Sequence, residues 1–457
     1  MFRSKCSLAA LLNANERFDP PRCADATRQA IIQKMEEWID HDSQRSSVFW
    51  LYGGAGAGKS ALAQTLGEKC DKVGNLAASF FFFRGDRKRN DGNRLIPTLA
   101  LQFVRSFQGL GSLLGETILA NPDLFTESRE SQMSELVVKT LRKLWQKESD
   151  AQEVIPLHPR LVVIDGLDEC NDQNIQCDLL RIIASTIPRL PYPLRFLITS
   201  RPESHITRSF QQDFRTATQY YDLSKDSDAG TDVRNVVEAQ FAEIRRIHPL
   251  RQHLPAGWPP PGSVDAIVER SSGHFIYAST VIRFIQSPRH RPDDRLQVIL
   301  GLKQRYKEDR PYAGLDLLYS LIFREIRDAN QLEMIQRAFG IIYLRSQKVG
   351  LFGWRQWTSA SDRSIIEVLL GLRPGDLILL FDPLLSLVAF DDLDIRIFHK
   401  SLFDYLLDSS RSEDLQLDLG LAHETAANSI LNGRKILERR SECLLALTFL
   451  CLLIVKI

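Results

Sequence analysis

The run Gly53-Gly54-Ala55-Gly56-Ala57-Gly58-Lys59-Ser60 has the spacing G-x-x-x-x-G-K-[ST]. Glycines at this density let successive backbone N–H groups turn inward around a phosphate, and a helix starting at Lys59 adds the partial positive charge of its N-terminus. The expected chemistry is nucleotide binding: the Lys59 ammonium reaches the β- and γ-phosphates, the Ser60 hydroxyl goes to Mg2+, and Ala61 closes the binding stretch. A second pattern, Leu161-Val162-Val163-Ile164-Asp165-Gly166-Leu167-Asp168-Glu169, is an apolar strand ending in a carboxylate. Asp165 is therefore expected to hold Mg2+ directly or through water. Asp168 and Glu169, just beyond it, are placed to orient or deprotonate an attacking water. In a third pattern, Leu197-Ile198-Thr199-Ser200-Arg201-Pro202, a strand ends in an arginine. Arg201 could sense or stabilise charge on a γ-phosphate; a surface ion pair is the plainer use of such a residue.

For these groups to meet, the strands that carry them must end on one side of one sheet. The run Val48–Tyr52 reads as a strand buried on both faces, and Ala77–Phe83, Leu161–Ile164 and Leu194–Thr199 are further runs of strand length. Gln219–Leu223 is a shorter fifth candidate. Helical patterns such as Ile96, Leu99, Ala100 and Phe103 lie between them, and alternation of this kind predicts an α/β fold with a mostly parallel sheet. Ahead of the first strand, Asp25 can cap a helix with Ile31, Ile32, Met35, Trp38 and Ile39 on one face. Beyond Asp226 the pattern turns helical over Asp232–Arg246, breaks at the proline-rich 255–261, and resumes over Ser271–Ile285 and Leu315–Ile326. Ser386–Phe390 and Ile395–Phe398 then flank the acidic turn Asp391-Asp392-Leu393-Asp394, with an amphipathic stretch Ser401–Leu407 after it. A hairpin beside helices is the outline of a winged-helix unit. The expected division is a polar lead (1–22), a P-loop NTPase domain (23–225), a helical domain (226–330), a winged-helix-like domain (331–435) and an apolar tail (436–457).

The 457 residues suffice for about three domains. With 58 basic against 57 acidic side chains, the net charge of +1 gives no global field that would steer the chain onto nucleic acid or an acidic membrane. The local basic cluster Arg84, Arg87, Lys88, Arg89 and Arg94 is interrupted by Asp86 and Asp91 and carries no interleaved stacking pattern. It reads as a solvated loop, with nucleic acid not expected as a partner. Seven scattered cysteines form no metal-ligand spacing, and an odd count in a chain of this size fits reduced thiols and a cytoplasmic setting. The apolar run Leu8–Leu12 is too short for a signal-peptide core. Cys443–Val455 falls short of the roughly 18 residues that span a bilayer, so a buried helix is expected there rather than a membrane anchor.

Taken together, the motifs resemble those of a NACHT-type NTPase of the STAND class, in the fungal branch with a nephrocystin-type amino-terminal module. The matching pieces are CADATRQAIIQKMEEWI, GGAGAGKS, FFFFRGDRKRNDGNRLIPTLALQF, VVIDGLDEC, FLITSRPE, SSGHFIYASTVIRFI and IRIFHKSLFDYLLD, between Pro20 and Leu431. The resemblance implies a switch that is ADP-bound and closed at rest, ATP-bound and open when triggered, with slow Mg2+-dependent hydrolysis and oligomerisation with other subunits as output. It also places an adenine-side contact at Thr27 and Arg28, the sensor arginine at Arg201, and a histidine touching the β-phosphate of ADP at His399. Where such proteins often have a proline after the glycine of their helical-domain motif, this chain has Gly273-His274-Phe275. Two alternatives stay open: a P-loop small-molecule kinase, which needs a substrate lid and base, and a scaffold whose nucleotide is structural.

Overall fold

A computed structural model of the chain describes residues 2–17, 20–24, 27–40, 46–150, 158–214, 218–226, 228–271, 273–301, 313–346, 362–390, 395–399 and 401–438. They divide into two compact units, Met1–Asp232 and Val233–Ile457. In the first unit, helix α1 (Gln29–Asp40) precedes strand β1 (Val48–Tyr52), which leads into α2 (Lys59–Lys72). Strand β2 (Leu76–Phe81) is followed by α3 (Leu95–Ser106), and β3 (Leu161–Asp165), β4 (Arg195–Ser200) and β5 (Thr218–Asp222) complete the sheet. The five strands are parallel, in the order β2-β3-β4-β1-β5.

Alternation along the strands builds two cores, because successive side chains leave a strand on opposite faces. Val48 and Trp50 of β1 pack with Val162, Ile164, Ile198, Ile96 and Phe103 on one side. Phe49 and Leu51 pack with Val163, Leu197, Leu62 and Leu66 on the other, where α1 contributes Met35 and Trp38. The five apolar positions expected to line α1 are all buried; its expected cap, Asp25, lies outside the described residues. The expected strand Ala77–Phe83 ends at Phe81. There the Phe82 N–H bonds to Asp165 O, and Phe83 turns away to bond with Arg89 O.

Residues 2–17 behave differently from the polar lead expected of them. Cys6, Ala9, Ala10, Leu12 and Arg17 are buried. Ser7 N–H donates to Thr98 Oγ1 at 2.8 Å and Leu12 N–H to Ser79 Oγ at 2.9 Å, so the segment is strapped to α3 and to the edge strand β2. The outer edge of β2 is covered as well: the Gln102 amide of α3 takes Ser79 N–H at 3.0 Å and donates to Ser79 O at 2.8 Å. At Ser79 the outward peptide groups are thus taken up by a side chain rather than left for a foreign strand.

In the second unit, α4 (Ala229–Ile247) runs in across the division between the units, and further helices include Ser263–Ser271, Phe275–Ile285 and Ala313–Phe323. The expected helix Ser271–Ile285 is shortened because Gly273 adopts a left-handed φ of 77°, which ends one helix before His274 starts the next. Strands β6 (Val388–Phe390) and β7 (Ile395–Ile397) pair antiparallel, and α5 (Ser401–Leu406) follows. One apolar core joins the segments on either side of residue 330, from Val281 and Leu318 to Phe339, Phe381 and Leu402. The acidic turn 391–394 and the tail from 439 lie outside the described residues. No helix among the described residues is long and apolar enough to cross a membrane.

Candidate functional site

Parallel pairing brings the three sequence patterns to the same sheet edge. Tyr52, the last residue before the glycine run, lies opposite Ser200, and Ile164 opposite Ile198, so β1, β3 and β4 end within about one residue of the same level. Crevices outside the carboxyl ends of parallel strands are where such sheets take ligands. The glycine run occupies that edge as a strand-to-helix loop. Gly56 and Gly58 have φ of 74° and 93°, a region costly for residues with a Cβ, and Gly58 stands at the N-cap of α2. The first helical bond is Leu62 N–H to Gly58 O, so the N–H groups of Lys59, Ser60 and Ala61 precede it, at the positive end of α2. Gly53 is pressed against Leu223 and Ala57, and Ala55 and Ala57 are buried. The Lys59 Nζ folds back to donate to Gly53 O and Gly54 O, each at 2.8 Å, which holds the ammonium at the mouth of its own loop.

Asp165 is 4% exposed at the end of β3. Burial pushes its pKa upward, opposed by hydrogen bonds from Thr199 and Ser60; Glu169 adds to the rise and Arg17 opposes it. Thr199 Oγ1 lies 2.6 Å from Asp165 Oδ1 and 2.9 Å from the Gly166 nitrogen. A buried carboxylate bonded to the first-turn serine of a phosphate-type loop is a hard oxygen donor set, and it suits Mg2+ beside phosphate oxygens.

The remaining acids are engaged in different ways. Asp168, 1% exposed, accepts the Arg201 N–H on Oδ1 at 3.0 Å, and its Oδ2 lies 3.5 Å from Arg201 Nε. Glu169 Oε2 accepts the Arg84 N–H at 3.1 Å, while the Arg84 guanidinium donates to Asp168 O at 3.2 Å. The basic cluster is therefore not uniformly solvated, as was expected of it. Arg84 turns toward the two acids, and Arg89 donates to Phe81 O at 3.2 Å with its guanidinium over Phe83. Arg94 bonds Ser4 O and Cys6 O of the strap; only Arg87 and Lys88 stand exposed.

Thr27 is buried, with its hydroxyl on Ala24 O at 2.7 Å. Arg28 is 5% exposed and has a φ of 56°. Its N–H bonds Asp232 at 3.0 Å, one guanidinium nitrogen pairs with Asp226, and another donates to Ala57 O at 3.3 Å inside the glycine loop. Of the two residues assigned to the adenine side, Arg28 is tied to the glycine loop, while the Thr27 side chain bonds within its own turn. Burial depresses the Arg28 pKa, against the opposing charge of Asp232.

His399 belongs to the second unit. Its Nδ1 accepts the Ser401 N–H at 3.0 Å and sits 2.8 Å from Ser401 Oγ, which also meets the Tyr319 hydroxyl at 2.8 Å.

Thr199, Arg17 and Asp226 were not singled out from the sequence, and Arg84 was read there only as part of a solvated basic loop. Thr199 left a trace there, as a polar residue after Phe196-Leu197-Ile198 in a strand buried throughout. Arg17 left none. It is buried with its guanidinium 3.5 Å from the Phe81 ring centre, donating to Leu12 O at 2.8 Å.

Residues 26–201 match the family described as Nephrocystin 3, N-terminal. No curated protein sequence matches the chain. Among solved structures, the Aeropyrum pernix Orc1 protein in complex with DNA is similar at 12% identity and a TM-score of 0.37, covering 86% of this chain and 95% of that one. A likeness that loose bears on neither the chemistry nor the partners of this chain. The family match and the strand–loop–helix geometry coincide on the same stretch, and residues 26–201 are a nephrocystin-like P-loop module.

Proposed function

We propose that the chain is a nucleotide-operated switch of the STAND class, binding ADP and ATP with Mg2+, hydrolysing ATP slowly and signalling through nucleotide-controlled conformation and self-association. The observation that carries this reading is the convergence at one sheet edge of the Lys59 loop with Ser60 and the buried Asp165–Thr199 pair. In this reading the loop N–H groups and the α2 N-terminus cradle the phosphates, and Lys59 exchanges its bonds to Gly53 O and Gly54 O for phosphate oxygens. Ser60 and Asp165 would hold the Mg2+, which when bound neutralises phosphate charge. Glu169 orients or deprotonates the attacking water. Arg201, positioned by Asp168, reports the γ-phosphate. Thr27 and Arg28 close the loop from the base side. Turnover is slow because Arg201 is paired with Asp168 and Arg84 with the same loop; a free arginine at the transition state is worth about 10³ to 10⁵ in rate.

The test is to purify the chain without added nucleotide, denature it and identify what is released by chromatography. ADP in near-stoichiometric amount is expected from the parent and much less from Lys59→Ala, which leaves phosphate charge facing backbone dipoles alone. An empty parent, or a Lys59→Ala chain that retains as much ADP as the parent, overturns the reading.

A further inference from the structure

We infer that Thr199 is the positioning residue of the metal site, fixing the Asp165 carboxylate through its hydroxyl; the inference rests on the Mg2+ reading given above. A polar side chain here is not asked for by the strand. The three residues immediately before it in β4, Phe196, Leu197 and Ile198, are apolar and buried, and Thr199 itself is fully buried between β3 and β1. Burying a hydroxyl in such a strand is costly unless both its donor and its acceptor capacities are used.

Both are used, and the direction of each bond is forced. A threonine hydroxyl has one proton, and a backbone N–H can only donate. Gly166 N–H points at Oγ1 from 2.9 Å, so Oγ1 is the acceptor there. Its own proton then lies in the 2.6 Å contact with Asp165 Oδ1, at the short end of the range for a hydroxyl on a carboxylate. One side chain of β4 therefore grips β3 at two points, the metal carboxylate and the peptide immediately after it. Immediately after this contact Gly166 adopts a left-handed φ of 69°, a conformation that glycine takes at least cost. With Oδ1 held by Thr199 and the Ser60 hydroxyl on the same carboxyl, rotation of the Asp165 side chain is restrained before any metal arrives. Outer groups of this kind orient a ligand, and their loss typically costs about 10- to 100-fold in metal affinity.

Because the hydroxyl touches neither the phosphate loop nor the ammonium of Lys59, its removal should separate metal from nucleotide. The experiment uses the full chain with Thr199→Val, which keeps the shape, Thr199→Ser, which keeps the hydroxyl, and Thr199→Cys, which keeps only a weak donor. Two quantities are read: Mn2+ affinity at saturating ADP by electron paramagnetic resonance, and ADP affinity in EDTA by calorimetry. Thr199→Val is expected to weaken Mn2+ by about 10- to 100-fold with ADP binding in EDTA unchanged. Thr199→Cys should fall between Thr199→Val and the parent, and Thr199→Ser should match the parent. Should Thr199→Val fail to fold, the comparison of Thr199→Cys with Thr199→Ser decides. Parent-like Mn2+ affinity in the variants that lack a full hydroxyl, a Thr199→Ser chain as weak as they are, or an equal loss of ADP in EDTA overturns the proposal. A parent that holds ADP but takes no Mn2+ removes the metal reading itself and this inference with it.

Discussion

Arg28 occupies a left-handed backbone region that costs a bulky residue on the order of 1–3 kcal/mol, and it is retained where three bonds fix it: its N–H on Asp232, its guanidinium on Asp226, and its reach to Ala57 O. Strain held in this way beside a phosphate loop is a reason to treat Arg28 as part of the site. The adjacent acids 168 and 169 look interchangeable as a pair of carboxylates in sequence, yet their surroundings divide them. Asp168 is enclosed and ion-paired with Arg201, whereas Glu169, tethered by one backbone N–H from Arg84, is less buried. A carboxylate that must accept a proton from water has to reach that water, which favours Glu169 as the base. Glu169→Gln is expected to slow phosphate release by about 10²- to 10⁴-fold with ATP affinity unchanged. Asp168→Asn should instead release Arg201 and reduce the preference for ATP over ADP. Single-turnover phosphate release and paired titrations with the two nucleotides check both. If Asp168→Asn abolishes hydrolysis at parental affinity while Glu169→Gln does not, the roles are reversed.

At the scale of elements, the strap of residues 2–17 is docked on the edge of the sheet by side-chain burial and hydrogen bonds to α3 and β2, and its state can be read at Cys6. Burial pushes the Cys6 thiol up to about 11, against weaker opposing charges from Arg94 and Arg3, and its Sγ lies 3.4 Å from Pro97 O. The thiolate is the nucleophile, so Cys6 should alkylate slowly at neutral pH while the strap stays docked. Leu12 fills the space beside Gly67, and its truncation to alanine removes a buried contact of the strap. Leu12→Ala is expected to raise the iodoacetamide rate at Cys6 by about tenfold or more through local opening, followed by peptide mass mapping. A Cys6 that reacts in the parent as fast as in denaturant would show that the strap is not held. This element was illegible in sequence for a physical reason: it buries Ala9, Ala10 and single residues such as Leu12, too few and too small to set up a period. The sheet was legible because β1, β3 and β4 are buried on both faces and so carry continuous apolar runs, Val48–Leu51, Leu161–Ile164 and Phe196–Ile198. The inward turn of Arg84, Arg89 and Arg94 was hidden, since neighbouring charges in a sequence do not say which way side chains leave the chain. Thr199 was hidden in another way, because its partners Asp165 and Gly166 are brought to it only by strand pairing.

For the whole molecule to act as a switch, a residue outside the phosphate-loop module must respond to the nucleotide, and the resemblance implies that His399 does so through the β-phosphate of ADP. Its surroundings limit how. Nδ1 accepts the Ser401 N–H, the first amide of α5, which leaves Nε2 as the ring nitrogen that can donate to an anion. That arrangement splits a structural role from a ligand role, because each ring nitrogen can be imitated separately. Asparagine can place an amide oxygen near the Nδ1 position and so keep the bond to Ser401, but it has no donor at the Nε2 position. Glutamine can place its NH2 near Nε2 and gives up the Nδ1 bond. A hydrogen bond to a charged phosphate contributes about 1.5–3 kcal/mol, or roughly 10- to 150-fold in an equilibrium. If His399 holds ADP, His399→Asn and His399→Leu should both speed release of a fluorescent ADP analogue in stopped flow by about tenfold or more and increase light scattering with ATP, while His399→Gln releases ADP more slowly than either. If His399 serves only α5, the order inverts. His399→Asn then matches the parent in both readouts, His399→Gln and His399→Leu lower the melting temperature, and no variant changes the ADP off-rate, which removes His399 from the switch.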